Sequence, residues 1–413
     1  MFARACLTFV VAVTAPLVQA AEQGRFQTEG QIIAQLQLID GYDGWGNGEA
    51  GKFVDGTTEY FWQADVDLSY QLTDTLAFEG ALTSSATEFS APLGVTEAFL
   101  RWRPVPASRL RHAVKVGSFY PPISLENTDT GWQSPFTTSF SAINTWIAEE
   151  VRVMGIELEH TIRTDVLGGR DRFKLRHALF VGNDPAGSML AWKGWSVHQR
   201  QSHIGEELAL APLLAFEPGQ PFEAQADHVD PFFETDDQLG HYASVDWNRG
   251  SQFLLRFSFY DNRADPEALR EGQYGWRTRF YALGFTTHWA GFDVITQALK
   301  GDTRMGPRSP DRNAVDNTYE SAFLLVSRNF NKHRVTLRRD WFEVHDRDVM
   351  ARWDPNQESG AAWTVSYAFA LTDHCAIETE WVSIDTRRAA WAMLGEPVSR
   401  REEQVRIGFR YRL

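Results

Sequence analysis

The chain has 413 residues, 40 basic against 54 acidic, a formal net charge of −14, 43% apolar side chains and 13% aromatic ones. That acidity excludes a general nucleic-acid binder, which needs a basic surface to neutralise phosphates, and the apolar share is too high for a disordered chain. The 15 Trp and 28 Phe call for a structure that uses rings. The first element is an apolar run from Cys6 to Val18 behind Arg4, ending in the small-x-small triplet Val18-Gln19-Ala20. This predicts a secretory signal peptide, residues 1–20, cleaved after Ala20. The run is too short for a membrane-spanning helix, and Pro16 interrupts it. Loss of Cys6 leaves Cys375 as the only thiol, so no intrachain disulfide forms.

From residue 21 to 413 there is no long apolar run, and a different pattern takes over: stretches of about 10 residues with alternating polarity, separated by turns, as in a membrane β-barrel. Sixteen are predicted, at 25–39, 58–72, 76–86, 94–103, 109–118, 151–163, 171–182, 239–248, 251–261, 275–289, 291–300, 317–329, 332–344, 361–371, 374–386 and 403–413. In the second, Tyr60, Trp62, Ala64, Val66, Leu68 and Tyr70 share one face and Gln63, Asp65, Asp67 and Ser69 the other. In the ninth, Phe253, Leu255, Phe257 and Phe259 oppose Arg256 and Ser258. Successive side chains on a strand point to opposite faces, so each stretch has one oily and one wet side.

The connections alternate short and long. Short ones include Thr73-Asp74-Thr75, Arg249-Gly250, Ala290, Phe330-Asn331 and Thr372-Asp373, with somewhat longer ones at 104–108 and 165–169. Long ones lie near 40–57, 87–93, 119–150, 183–238, 262–274, 301–316, 345–360 and 387–402. Short turns on one side and long loops on the other are the signature of a transmembrane antiparallel barrel in the bacterial outer membrane. Trp and Tyr near the strand ends, such as Trp102, Trp247, Trp289 and Tyr411, suit the two lipid interfaces. Sixteen strands leave a water-filled lumen, and the first begins too soon after the leader for a plug domain to precede it. The expected function is therefore passive diffusion of small hydrophilic solutes or anions through a porin-like channel.

The third long loop, 119–150, is the candidate constriction. It opens Phe119-Tyr120-Pro121-Pro122, where proline ends the strand. It carries Glu126, Asp129, Glu149 and Glu150 with no Lys or Arg. Trp132 and Phe136 precede Phe140, Ile143, Trp146 and Ile147, which recur at helical spacing with Ser141 or Asn144 available as a cap. Such a segment either folds against the inner wall and narrows the pore or closes over the barrel top; infolding is the expectation. Charge is costly on the lipid side. The expected pore-lining set is therefore Arg101, Arg103, Arg111, Lys115, Glu157, Glu159, Lys174, Arg176, Arg277, Arg279, Arg338, Arg406 and Arg410, with Glu97, Glu378, Glu380 and Arg412 beside them. These side chains either form a basic ladder facing the acidic loop, setting ion preference, or pair with one another and hydrate the lumen. The fourth long loop, 183–238, holds ten acids against Lys193 and Arg200 and reads as a solvated acidic loop.

The run Val116-Gly117-Ser118-Phe119-Tyr120-Pro121-Pro122-Ile123-Ser124-Leu125-Glu126 resembles the G-x-F-x-x-P-x-S-x-E element of phosphate-selective porins of the O and P type. In that family the element ends a strand and enters the constriction loop. The resemblance implies a trimeric sixteen-stranded pore whose basic residues draw anions. Residues 119–150 contain no Lys, unlike the lysine-rich constriction of the phosphate-selective members, and the chain ends in Leu413 rather than an aromatic.

The chain has no G-x-S-x-G, no H-E-x-x-H and no cysteine cluster, so it is expected to be no enzyme and to need no cofactor or metal. His198 with His203, and His160 with His177 on adjacent strands, read as surface or interface histidines rather than ligands. The competing function is a structural or adhesive barrel, sealed by its loops, that binds a surface partner through 183–238.

Overall fold

The alternation closes on itself. The computed structural model describes residues 25–42, 44–53, 60–85, 93–106, 108–164, 171–308, 312–348, 350 and 352–413, and it forms one closed barrel of sixteen antiparallel strands. The signal peptide, the turn at 165–169 and parts of several long loops lie outside the described residues.

The strands are β1 (Phe26–Asp40), β2 (Tyr60–Gln71), β3 (Leu76–Ser85), β4 (Gly94–Trp102), β5 (Leu110–Phe119), β6 (Val153–Thr164), β7 (Asp171–Val181) and β8 (Gly240–Arg249). They continue as β9 (Phe253–Asp261), β10 (Arg277–Trp289), β11 (Phe292–Arg308), β12 (Asn313–Phe330), β13 (His333–Asp346), β14 (Glu358–Ala370), β15 (Cys375–Arg388) and β16 (Ser399–Arg412). Each pairs with its chain neighbours, and β1 closes the ring against β16 from Gln31↔Arg412 to Asp40↔Glu403. No edge remains, so the ladder satisfies the backbone polar groups that lipid cannot.

Local chemistry sets the ends. At the β10–β11 turn Ala290 and Gly291 both have positive φ (52° and 80°), the tight turn whose twist matches two paired strands. On β2, Trp62 is exposed on the outside while Gln63 and Asp65 are buried inside, as the alternation requires. The strands β11 to β16 all overrun their predicted ends at the long-loop side, three of them by four residues or more. β11 reaches Arg308, β12 starts at Asn313 and β16 starts at Ser399. Beyond the lipid a ladder needs no oily face, so hydrogen bonding continues after the hydrophobic alternation has stopped. Two helices, α1 (Ala142–Glu150) and α2 (Ser188–Trp192), belong to the third and fourth long loops.

Candidate permeation pathway and constriction

The third long loop crosses the interior and is fastened to the wall around most of the ring. After Phe119 the two prolines supply no backbone donor, so the chain leaves the ladder. It first runs over β9 and β11. Ser258 Oγ donates to the Pro122 carbonyl (3.1 Å), Arg256 Nη1 to that of Ser124 (3.1 Å), and the Leu125 amide donates to Gln297 Oε1 (2.9 Å). It then swings past β1 and β2. Gln31 Nε2 donates to the Thr130 carbonyl (2.6 Å) and the Gly131 amide to Asp67 (3.0 Å). Gly131 sits at φ 64°, where a Cβ would come within 2.3 Å of the Asp65 Cβ, so only glycine fits this approach.

Three wall groups then hold the return limb. Glu380 on β15 accepts from the amides of Thr138 (2.7 Å) and Ser139 (2.9 Å), and Asp340 on β13 accepts from Ala142 (3.0 Å). Arg338 on β13, fully buried, donates to Glu126 (2.7 Å), Asp340 (2.9 Å) and the carbonyls of Ser139 (2.7 Å) and Phe140 (2.8 Å). Ser141 caps α1, its Oγ accepting from the Asn144 amide (3.4 Å). The infolding expected from the sequence is the arrangement found.

A second surface seats the helix. Phe180, Tyr242, Tyr260, Phe280, Tyr319 and Phe342 are buried on the inner face of β7, β8, β9, β10, β12 and β13. Phe280 stacks on Tyr260 (4.9 Å between centroids), and Trp146 of α1 meets both Phe280 and Tyr319 at 5.3 Å. Trp195 of the fourth loop extends the cluster to Phe342 (6.4 Å). The expectation that the whole inner face is wet misses this arc, because an oily residue on the inner side is indistinguishable in sequence from a phase slip of the strand.

The fourth loop enters the lumen as well. Glu150 accepts from the Met189 amide (2.9 Å) and Ser188 Oγ (3.1 Å) at the start of α2, and from Trp146 Nε1 (2.5 Å). Glu149 accepts from Trp45 Nε1 (3.1 Å) in the first loop and from Arg200 (3.2 Å), which also pairs with Glu206 (2.6 Å). Lys52 of the first loop, wholly buried, donates to Glu358 (2.6 Å) and to the Trp195 carbonyl (2.7 Å). Loops one, three and four therefore interlock at the long-loop end. The reading of 183–238 as a solvated loop is corrected: Asp184 and Glu206 are buried, whereas Glu207 and Asp227 remain in solvent.

Burial sets the protonation of this interlock. It pushes Glu150 up to about 7 against the donors that favour its anion, raises Glu149, and brings Lys193 down to about 7. A carboxyl whose docked pKa lies above its free value of 4.5 binds more protons when docked, so its contribution falls as pH rises from about 4.5 through 7. The span corresponds to about 3 kcal/mol at most. Limited proteolysis of the fourth loop is thus expected to quicken between pH 5 and 7.5 in the native chain. Glu150→Gln should flatten that rise; an equal rise in the variant would rule out Glu150 as its source.

On the short-turn side of the loop lies a cavity of about 270 Å³. Arg101, Arg103, Lys115, Lys174 and Arg176 line it with Glu97, Glu157 and Glu159, and Tyr120 to Ser124 with Trp132 form the opposite side. Lys174 pairs with Glu159 (3.1 Å), Arg176 with Glu159 (2.9 Å) and Asp246 (3.1 Å), and Arg101 with Glu79. Arg111, two residues before Ala113 of the lining, falls on the same inner face. The expected ladder is thus partly assembled, but its counterpart is not acidic. Glu126 is spent on Arg338, Glu149 on Arg200 and Glu150 on α2. Burial disfavours ionised Asp129, but Arg412 (2.6 Å) and Arg410 (3.8 Å) hold it below the usual carboxylate range. What faces the cations is the neutral edge of Tyr120, the two prolines and Trp132. Trp132 stacks on Tyr120 at 4.4 Å, and Phe140 meets its ring edge-on at 5.6 Å; Phe136 packs on the same core.

The remaining predicted lining residues divide. Arg338, Arg406 and Arg410 point inward but lie beneath the loop, Arg406 on Glu380 (3.3 Å) and Arg410 on Glu378 (3.0 Å), so they fasten the constriction rather than line open space. Arg277 and Arg279 are corrected: they point outward, bound to Asp261 (3.3 Å) and Asp302 (2.7 Å), while Thr278 and Phe280 face in. They sit near the long-loop end of β10, beyond the depth at which lipid penalises charge. Residues the sequence did not single out include Lys52 and Glu358, which pair across 306 positions, and Asp340, which holds the Ala142 amide across 198.

No known protein family's sequence profile matches the chain, and a search of curated proteins finds no relative. Similarity to solved structures is extensive in shape and slight in sequence. The outer-membrane channel DcaP of Acinetobacter baumannii aligns at a TM-score of 0.58 with 10% identity, over 94% of this chain and 97% of that one. OprB of Pseudomonas putida aligns at 0.53 with 10% identity over 96% of each chain. An anion-selective porin from Comamonas acidovorans aligns at 0.50 with 10% identity over 94% and 99%. The chain therefore has the fold of the bacterial outer-membrane porins.

Proposed function

We propose that the chain is an outer-membrane porin for small polar solutes with a preference for anions, exported by a leader cleaved after Ala20 and assembled in lipid as a homotrimer. The observation that carries the preference is the cavity lined by five cations against three carboxylates, faced by a neutral loop edge. A surplus of fixed positive charge in a narrow, low-dielectric passage raises the local concentration of anions and repels cations. The fold supports a channel, and the layout of short turns and long loops favours a periplasmic position for the cavity, below the constriction.

The expected result is a steady ohmic current in planar bilayers, with a reversal potential in a KCl gradient displaced toward that of chloride. Arg111→Ala with Lys115→Ala should move it toward zero by lowering the positive surplus; an unchanged potential would remove the ladder from selectivity. The rival is a sealed barrel that binds a surface partner, and what favours it is the interlock of loops one, three and four. Absence of current from correctly folded protein would decide for that reading.

A further inference from the structure

The outer face of the barrel carries three imidazoles on adjacent strands. His112 on β5 and His160 on β6 stand directly opposite each other in register, and their Nδ1 atoms converge to 2.8 Å. His177 on β7 lies diagonally beside them, its ring 6.0 Å from that of His160. All three belong to the outward set, since Lys115, Glu157 and Arg176 on the same strands face the lumen. Their surroundings are apolar: Leu110, Ile162 and Leu175 are exposed beside them. Polar side chains in such a band are costly away from its edges, and His112 and His160 lie close to the short-turn ends of their strands.

We propose that His112 and His160 form a cross-strand chelate for a divalent transition-metal ion, with His177 as an outer contributor. Two neutral imidazoles 2.8 Å apart share one proton, one Nδ1 donating and the other accepting. A metal can take the place of that proton. Metal–nitrogen bonds of about 2.0–2.1 Å in tetrahedral geometry place two ligand nitrogens roughly 3.3 Å apart, so the rings need to part by only about half an ångström. The proton displaced from Nδ1 of one ring is taken up at its own free Nε2, so binding by the neutral pair releases none. Imidazole ligands without thiolate or carboxylate favour copper, nickel or zinc over magnesium or calcium. Remaining coordination positions are filled by water or by His177 after a rotamer change. Such an ion would fasten β5 to β6, the hairpin that carries the constriction loop between Phe119 and Val153.

The test uses full-length protein purified without a polyhistidine tag, with Cu²⁺ and Zn²⁺ as probes. One equivalent of Cu²⁺ should give an electron paramagnetic resonance spectrum with two nitrogen ligands. His112→Ala and His160→Ala should each weaken binding at least tenfold and leave one nitrogen, whereas His177→Ala should weaken it only a few-fold. Zn²⁺ should raise the melting temperature of the native chain and not of the double variant, because binding to the folded form alone stabilises it. Circular dichroism and heat-modifiable mobility establish that the variants are folded. Folded His112→Ala/His160→Ala protein that binds Cu²⁺ with native affinity and the native spectrum would overturn the proposal, as would native protein that binds no Cu²⁺ at micromolar concentration.

Discussion

Replacing Arg338 by alanine is expected to free the constriction loop without opening the barrel. The guanidinium is fully buried and ties together Glu126, Asp340 and two loop carbonyls. Its removal leaves two carboxylates buried without their cation, a loss of about 3–5 kcal/mol for a broken buried pair. The sixteen-strand ladder does not depend on it, since β13 keeps its pairing to β12 and β14. The penalty therefore falls on the loop, which swings away from β13. Single-channel conductance should rise and become noisy while the heat-modifiable mobility of the folded barrel is retained. Arg338→Lys should recover only part of the closure, because a lysine ammonium cannot reproduce the planar fork that reaches both carboxylates and the loop carbonyls. A variant with native conductance and quiet traces would show that the loop is held elsewhere.

The second large effect is expected at Glu358, where β14 begins. Its carboxylate takes Lys52 Nζ (2.6 Å), the Trp195 amide (2.9 Å) and Arg388 (3.4 Å). Burial brings Lys52 down to about 8 even with this partner in place. Glu358→Ala leaves two buried cations without their shared anion, again about 3–5 kcal/mol. The deficit is spread over the first and fourth loops, so both should undock. Trypsin should then cut at Lys52 and Lys193 in the variant and at neither in the native chain. Glu358→Gln should give intermediate cleavage, since an amide oxygen still accepts from Lys52 but carries no charge. Equal resistance in native and Glu358→Ala protein would show that the interlock rests on the aromatic contacts alone.

The strands were legible because lipid enforces alternation. Tyr60 to Tyr70 on β2 and Ile407, Phe409 and Tyr411 on β16 point outward, with Arg406 and Arg410 inward, as alternation requires. The loop helix was legible too, since Ile143, Trp146 and Ile147 fall within it and Ser141 stands at the cap, with Phe140 just ahead of it. The same rule misled where its cause lapses. Arg277 and Arg279 lie where charge costs nothing outside, and the strand kept its phase with Phe280 inward. The partners of the loop acids were not legible at all. Glu126 finds Arg338 across 212 positions and Lys52 finds Glu358 across 306, and nothing local marks either pair.

The arc of inner aromatics from β7 to β13 bears on biogenesis. The band these rings occupy is greasy on both surfaces, toward the bilayer and toward the axis, like part of a sandwich whose second layer is supplied by the third and fourth loops. Completing the tube first and furnishing it afterwards is costly, because an empty cylinder would present an unpartnered oily band to trapped water. Docking of the internal segments is therefore expected to accompany closure of the barrel rather than follow it.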